Sequence, residues 1–240
     1  SLLSSAWQLS VACTKPVYLT FDTGHMAVAP LIADVLSRHQ VKVTFFLANE
    51  KTKTGGTSLG DQWQPWWQAR AKEGHAFGSH TLDHVYWLAD TSKGFRVKAS
   101  AGESAGKVFD WTPEQYCAVV KNSGERFQQM TGQALSKQGA RTLFRAPGGK
   151  TSAKLLQTLR SCGFKHIGWS AAGFLGDELP SDKYPSKVLL DKALRDIRSG
   201  DILMAHLGIW SRQDPWAPAV LEPLIVGLKE RGFCFETLAK

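Results

Sequence analysis

The chain has 240 residues, 43% hydrophobic and 21% charged, a composition typical of a folded globular protein and not of a disordered one. Its net charge of +8 suits anionic partners, but the Lys and Arg residues are scattered, which argues against a nucleic-acid-binding protein. No apolar run approaches the roughly 18 residues of a membrane helix, so no membrane span is expected.

Apolar, β-branched segments alternate along the chain with amphipathic segments of helical periodicity. The predicted strands are 17–21, 41–47, 74–79, 142–145, 164–169, 201–205 and 232–235. The predicted helices are 27–39, 63–72, 112–130, 152–161, 187–198 and 217–231. Two segments break the alternation: 51–60 is a polar, glycine-rich loop, and 85–110 is an insertion without a clear period.

Repeated strand–helix alternation predicts an α/β fold with a mainly parallel sheet, either open or closed into a barrel. Active sites of such folds gather at the carboxyl ends of the strands. Four chemically capable residues fall at or just after predicted strand ends, namely Asp22, His80, Arg145 and His206. The pattern alone therefore indicates where chemistry should occur.

His80 and His84 are four residues apart, so a helical turn would stack their rings within reach of one metal ion. The alternative is a pair of surface histidines. Asp22 is either a helix cap or a general base. Arg145 either forms a surface salt bridge or keeps a catalytic carboxylate ionised. His206 is either a core residue or a general acid.

Four segments occur in the order of motifs of the NodB-homology polysaccharide deacetylases, carbohydrate esterase family 4, and the chain resembles that family from about residue 16 onward. The segment around His80 and His84 is the most specific of them. They are 20–23 (TFDT), 78–84 (GSHTLDH), 144–148 (FRAPG) and 200–206 (GDILMAH). The resemblance implies a deformed (β/α) barrel in a single domain, 16–240, after an N-terminal extension, 1–15.

The implied activity is metal-dependent hydrolysis of N-acetyl groups on an amino-sugar polymer or oligomer such as peptidoglycan, a chitin-like chain or an exopolysaccharide. This makes the chain a hydrolase of non-peptide carbon–nitrogen bonds in linear amides. The cofactor would be a divalent ion, Zn²⁺ before Co²⁺ or Ni²⁺. His80 and His84 would bind it, Asp22 would be the general base, Arg145 would tether Asp22, and His206 would be the general acid.

The sequence departs from the family pattern at its third metal ligand, an acid whose position is occupied by Thr23. A neutral hydroxyl binds a divalent ion more weakly than a carboxylate does. We favour His25 as the replacement ligand, since Gly24 permits the turn it would need. The alternative is that Asp22 itself binds the metal and another group acts as the base.

The fourth motif lacks the acid that orients the terminal histidine, and Asp177 is a candidate to replace it through a longer loop. Without such a partner, the pKa of His206 would lose one upward influence. Trp169 is either a wall of the acetyl pocket, and thus substrate-binding, or a core residue, and the core interpretation is favoured.

The four cysteines are widely spaced and contain no CxxC, which argues against a zinc finger. Either one disulfide or buried free thiols are expected. The chain opens without Met, which is compatible with the mature end of an exported protein, so a secreted, periplasmic or cell-envelope location is expected.

Two rival functions remain open. Thr23 and the altered fourth motif suit a sugar-binding protein that has lost turnover. Its nine Trp residues, three of which, Trp63, Trp66 and Trp67, lie on one predicted helix, are candidates for sugar-stacking surfaces, but packing in the core or in loops is favoured for most of them. A metal hydrolase of small amides or formamides would share the site but would lack an open groove.

Overall fold

The computed structural model describes residues 11–240, within which the backbone forms 11 strands and six α-helices. The strands are β1 Pro16–Asp22, β2 Thr44–Leu47, β3 Ala76–Ser79, β4 Val85–Asp90, β5 Phe95–Ala99, β6 Val108–Trp111, β7 Lys137–Gln138, β8 Arg141–Phe144, β9 Phe164–His166, β10 Ile202–His206 and β11 Cys234–Phe235. The helices are α1 Ala29–Arg38, α2 Gln64–Lys72, α3 Pro113–Thr131, α4 Ala153–Ser161, α5 Ser186–Asp196 and α6 Glu222–Glu230.

The principal sheet is mainly parallel and curves toward closure. Its strands run in the order β10–β1–β2–β3–β8, with β9 parallel to β8, β11 parallel to β1, and the short β7 antiparallel to β8. Between β9 and β10, the Ser170 amide donates to the Ile202 carbonyl at 3.0 Å. The Ile202 amide donates in turn to Ser170 Oγ at 2.9 Å. These two hydrogen bonds link the ends of the curved sheet, so the predicted α/β barrel is present in a deformed form.

Helix α3 begins where its sequence predicts. Thr112 Oγ1 accepts a hydrogen bond from the Gln115 amide, and Gln115 Oε1 accepts one from the Thr112 amide. This capping box satisfies two backbone donors at the helix start, and Pro113 occupies the first turn, where its missing N–H costs nothing. Gly132, with φ of +76°, ends the helix.

The main hydrophobic core lies between the principal sheet and helices α1, α2 and α6. Phe45 of β2 is at its centre, with its ring centroid 5.7 Å from both Trp67 and Phe77. Trp67 is fully buried, and Trp63 and Trp66 pack against the same cluster. These three tryptophans therefore stabilise the core, and the suggestion that they form a sugar-stacking surface is wrong.

The segment 85–110, predicted as an irregular insertion, folds instead into an antiparallel sheet of β4, β5 and β6. Its strand signal is present in 95–99, where Phe95, Val97 and Ala99 are buried and the intervening Arg96 and Lys98 are exposed. This alternation of buried and exposed residues is short, and the segments on either side of it are rich in Gly, Lys and Ser. The strand was therefore not recognised from the sequence. The added sheet begins directly after His84.

All four cysteines form disulfides, Cys13 with Cys234 and Cys117 with Cys162, so the expectation of one disulfide or free thiols is wrong. The first joins the segment before β1 to β11, and the second joins α3 to the end of α4. Disulfides persist mainly in oxidising compartments. Within residues 11–240, no helix is both long and apolar enough to cross a membrane.

The predicted domain boundary at residue 16 coincides with the first residue of β1. Most of the predicted N-terminal extension, residues 1–10, lies outside the described residues. Its last part contacts the barrel, since the Cys234 amide donates to the Lys15 carbonyl at 3.0 Å.

Candidate metal and catalytic site

The carboxyl ends of β1, β3 and β10 open into one cavity of about 520 Å³. Asp22 and His206 are directly paired in the register of β1 and β10. His80 follows the last residue of β3, and His84 lies four residues further on. All four side chains line this cavity, and Asp22, His80 and His206 do so as predicted from their positions at strand ends.

Arg145 lies beneath the cavity, fully buried, with each of its three guanidinium nitrogens hydrogen-bonded. Nη1 donates to Asp22 Oδ1 at 2.9 Å and to Thr20 Oγ1 at 2.8 Å. Nε donates to the Ile167 carbonyl, and Nη2 to the Gly168 carbonyl. The predicted contact between Arg145 and Asp22 is therefore present, and Arg145 cannot move without breaking several hydrogen bonds.

The environment keeps Asp22 ionised. Burial opposes the charged form, but the Arg145 guanidinium, with His80 and His206, outweighs it and holds the pKa of Asp22 below its ordinary value. The second carboxylate oxygen, Oδ2, lies 3.5 Å from His80 Nε2.

Hydrogen bonds fix the tautomers of His80 and His84. His80 Nδ1 is 2.7 Å from the Arg145 carbonyl oxygen, so it must donate, and Nε2 retains its lone pair. The Ser100 hydroxyl donates to the His84 carbonyl and therefore accepts from His84 Nδ1 at 2.6 Å. Burial lowers the pKa of both rings, that of His84 to about 3. Two neutral imidazoles thus present Nε2 lone pairs, as metal ligands do.

The chain between these histidines is a strained turn, so the prediction of a helical turn is wrong. Thr81 and His84 have φ of +54° and +46°, a region that non-glycine residues seldom adopt. Thr81 Oγ1 holds the turn by accepting from the Val85 amide at 2.8 Å, and the Asp83 carbonyl accepts from the amide of Ser100. The two rings are nevertheless adjacent, as predicted, with centroids 4.8 Å apart.

Thr23, which occupies the position of the expected acid, contacts a carboxylate that the sequence reasoning missed. Its Oγ1 accepts from the Ala48 amide at 2.9 Å and donates to Glu50 Oε1 at 2.9 Å. Glu50 lines the same cavity. Burial raises its pKa to about 7. Glu50 lies three residues after β2, and the end of β2 is adjacent to Asp22. The rule that active-site residues gather at strand ends therefore also applies to Glu50.

His25 does not join His80 and His84. Its Nδ1 accepts from the Ala27 amide at 3.1 Å, and its ring packs edge-on to Trp210 and against the backbone of Gly208. It lines a separate cavity of about 40 Å³ behind His206. This placement gives no support to His25 as the third metal ligand.

Asp177 is the acid that orients His206. Its Oδ1 is 3.1 Å from His206 Nδ1, and its Oδ2 accepts from the His206 amide at 2.7 Å. Burial disfavours the charged imidazole, but the carboxylate of Asp177, aided by Asp22, raises the pKa of His206 to about 10. The contact between Asp177 and His206 that the sequence suggested is therefore present.

Trp169 is half-buried and forms part of the cavity wall. The Arg145 guanidinium carbon lies 5.4 Å from its ring centroid, so the indole also shields the buried ion pair. The favoured interpretation of Trp169 as a core residue is therefore wrong, since it belongs to none of the hydrophobic core clusters of residues 11–240.

The donor chemistry of the cavity fits a divalent ion in part. His80 and His84 offer two imidazole lone pairs, a donor type that suits Zn²⁺, Co²⁺ and Ni²⁺. Within residues 11–240, however, no three His, Cys, Asp or Glu side chains are already arranged around one point as metal ligands. The carboxylates of Asp22 and Glu50 line the same cavity as these two histidines.

Comparison with known proteins relates the chain to one family. The family model described as polysaccharide deacetylase matches residues 11–167. A chitooligosaccharide deacetylase from Azorhizobium caulinodans is 25% identical over 234 residues, covering 92% of this chain and 92% of that protein.

Solved structures share the fold. A family 4 acetyl xylan esterase from Clostridium thermocellum, in complex with a cobalt ion, matches with a TM-score of 0.67 and 21% identity, covering 93% of this chain and 88% of that one. A carbohydrate esterase family 4 pseudoenzyme from Bacillus anthracis matches with a TM-score of 0.63 and 19% identity, covering 93% and 63%. At these identities the likeness extends to the deformed barrel alone.

Proposed function

This chain belongs to the polysaccharide deacetylase family, and we propose that it is a metal-dependent hydrolase that removes N-acetyl groups from an amino-sugar polymer or oligomer. The observation that carries the proposal is the pairing of Asp22 with His206 across β1 and β10. One is held as a carboxylate by Arg145 and the other as an imidazolium by Asp177, both facing one cavity. A base and an acid are thus available at the same pH.

His80 and His84 would hold the divalent ion, Zn²⁺ before Co²⁺ or Ni²⁺, through their Nε2 atoms. When bound, such an ion supplies Lewis acidity, which polarises an amide carbonyl and makes a nearby water more acidic. Asp22 accepts the proton of the attacking water through Oδ2, because Oδ1 is occupied by Arg145. The carbonyl carbon becomes tetrahedral as the water oxygen adds to it.

His206 then completes the reaction by donating a proton to the amide nitrogen. Without that proton the sugar would have to leave as an amide anion, which is a very poor leaving group. Because Asp177 occupies Nδ1, the proton comes from Nε2. Acetate and a free amino sugar are the products.

The shape of the site favours an oligomeric substrate over a small amide. A second cavity of about 490 Å³ shares Tyr86 and Ser100 with the first and continues over β4 and β5, beside Lys98 and Lys150. At the opposite side, the indole of Trp210 is 60% exposed, a flat surface suited to a sugar ring. A formamide or other small amide would leave this length of groove unused.

The test is acetate release from acetylated chito-oligosaccharides by the purified, metal-loaded protein. We expect turnover, and we expect Asp22→Asn to lower kcat by at least about 100-fold, the typical contribution of a general base. Release of acetate from small N-acetyl compounds but not from oligomers would contradict the polymer assignment. Equal turnover by the Asp22→Asn protein would contradict the mechanism.

A sugar-binding protein without turnover is the second candidate, and Thr23 is the observation in its favour, because the position lacks an acidic ligand. Oligosaccharide binding without acetate release, in protein that holds one metal ion per chain, would support this candidate instead.

A secreted, periplasmic or cell-envelope location is part of the proposal. Two disulfides support it, since such bonds are rare in reducing compartments. N-acetylated polymers of the envelope would be accessible there. Retention of the protein in a reducing cytosol, with four free thiols, would contradict this location.

A further inference from the structure

The proposed metal site has a gap in its ligand set. Catalytic zinc sites use three protein ligands and keep one position open, but only His80 and His84 offer ring nitrogens here. The acidic position of the first motif is occupied by the hydroxyl of Thr23, a much weaker ligand than a carboxylate.

The hydroxyl of Thr23 both accepts and donates a hydrogen bond. Oγ1 accepts a hydrogen bond from the Ala48 amide, so its own hydrogen is free to point at Glu50 Oε1, 2.9 Å away. This pair of bonds anchors one carboxylate oxygen of Glu50 beside the place where the acid is missing. Glu50 Oε2 makes no hydrogen bond within the described part of the chain and remains available to another partner.

The position of Glu50 is also supported by its backbone. Ser58 Oγ accepts from the Glu50 amide at 2.9 Å and donates to the Ala48 carbonyl, which fixes the chain just beyond β2. Since β2 pairs with β1 at Asp22, this end of β2 lies next to the first motif. A side chain one carbon longer than Asp can reach from the neighbouring strand toward the same cavity.

Other carboxylates near the cavity are less suitable. Asp22 has Oδ1 bonded to Arg145, and its Oδ2, 3.5 Å from His80 Nε2, is the atom that accepts the proton of the attacking water in the proposed function. Asp177 is engaged with both the ring and the backbone of His206. Glu178 lines the cavity, but its carboxylate makes no hydrogen bond to Thr23, His80 or His84.

We propose that Glu50 is the third protein ligand of the divalent ion, with Thr23 as the residue that positions it. The proposal rests on the proposed function, because that function requires the ion. In effect, the acid has moved from β1 to the end of β2, and the hydroxyl at its former position holds it. Glu50, His80 and His84 line the same cavity, and Oε2 is the carboxylate oxygen that Thr23 leaves unbonded.

The test is metal binding, measured without turnover. Dissociation constants for Zn²⁺ are obtained by competition with a chromogenic chelator, and Co²⁺-loaded protein is examined by visible absorption. We expect Glu50→Gln to weaken Zn²⁺ binding by more than about 100-fold, beyond the 10- to 100-fold typical of an outer-shell partner, and to change the Co²⁺ spectrum. The matched control, Glu178→Gln, should change the dissociation constant less than about threefold.

A double variant tests the relocation itself. Thr23→Asp combined with Glu50→Gln returns a carboxylate to β1, and it should restore Zn²⁺ affinity to within about 10-fold of the native protein. If Glu50→Gln alone does not fold, Thr23→Val and Thr23→Ser test whether Thr23 positions Glu50 as a metal ligand. The valine removes the bond to Glu50 and should weaken Zn²⁺ binding at least about 10-fold, whereas serine keeps it and should not.

Failure of the ligand assignment can be distinguished from failure of the proposed function. If the native protein binds one metal ion per chain and Glu50→Gln binds it equally well, Glu50 is not a ligand and the proposed function survives. If the native protein binds no divalent ion, both the ligand assignment and the proposed function are overturned.

Discussion

The two sides of the cavity differ in how their polar groups are paired. On the Asp22–His206 side, each ionised group has a charged partner behind it, Arg145 for one and Asp177 for the other. On the His84–Glu50 side, the polar groups are held by hydroxyls, those of Ser100 and Thr23, and bear no opposite charge.

The difference follows from what each side has to do. A base and an acid must keep defined protonation states, and buried ion pairs provide that. Metal ligands must keep a lone pair or a negative charge available, so a neutral hydroxyl can orient them without neutralising them. In the proposed function, the groups with charged partners are therefore those that transfer protons, and the groups held by hydroxyls are those that bind the metal ion.

Breaking the ion pair on the first side should have the largest effect. Arg145→Gln leaves Asp22 charged and without its partner in a buried position, and it should lower the free energy of unfolding by about 3–5 kcal/mol. Urea denaturation measures this. Arg96→Gln, which breaks an exposed pair with Asp110, is the control and should leave the midpoint almost unchanged. Equal effects of the two variants would show that the buried pair has no special role.

Removing the charge behind His206 should have the next largest effect. In Asp177→Asn the pKa of His206 loses its main upward influence and falls from about 10. Because the proposed general acid must be protonated, kcat should decline at a lower pH than in the native enzyme. At pH 8 we expect a loss of about 10- to 100-fold, measured as a pH profile of acetate release. An unshifted alkaline limb would mean that another group is the acid.

On the metal-binding side, loss of a neutral partner should leave stability nearly intact and affect metal affinity instead. Ser100→Ala removes the acceptor of His84 Nδ1 and should weaken Zn²⁺ binding by about 10-fold. Ser100 is exposed, so the thermal midpoint of the metal-free protein should barely change. A large drop in that midpoint with unchanged Zn²⁺ affinity would contradict the proposed distinction.

The pH dependence of stability in metal-free protein should also differ between the two sides. The pKa of His206 is raised to about 10, so its stabilisation is complete below pH 6.5 and is lost as pH rises toward 10. The pKa of His84 is lowered to about 3, so stability is lost as pH falls from 6.5 toward 3.

His206→Gln should therefore flatten the alkaline limb of the stability curve, and His84→Gln the acid limb, each by at most about 1.4 kcal/mol per pH unit. Denaturation curves at several pH values measure both slopes. Changes of the same sign in the two variants would contradict the assigned protonation states.

Much of the scaffold was predictable because its signals are local. The capping box of α3 and the apolar run that forms β1 act through neighbours in sequence, where periodicity and backbone preference suffice. The placement of Asp22, His80 and His206 around one cavity, with Arg145 buried beneath it, followed from a topological rule, since parallel strands end at the same edge.

For the turn between His80 and His84, the sequence predicted the closeness of the two rings but not the conformation of the backbone. The sequence placed His80 and His84 at helical spacing, and the rings are indeed adjacent, but the backbone between them has positive φ at Thr81. Hydrogen bonds from β5, which is distant in sequence, hold that turn. The periodicity of residues within a short segment cannot predict a backbone conformation that depends on contacts with another part of the chain.

By itself, the sequence determined most of the strands and helices outside 85–110, the family motifs and the residues at the strand ends. Only the tertiary structure decided the partners: Glu50 on Thr23, Asp177 on His206, and which cysteines pair. Four cysteines allow three pairings, and side chains 27 or 29 residues apart meet only when strand register and loop path are fixed. Local preferences are encoded within a few residues, whereas these contacts depend on the free energy of the whole packed chain.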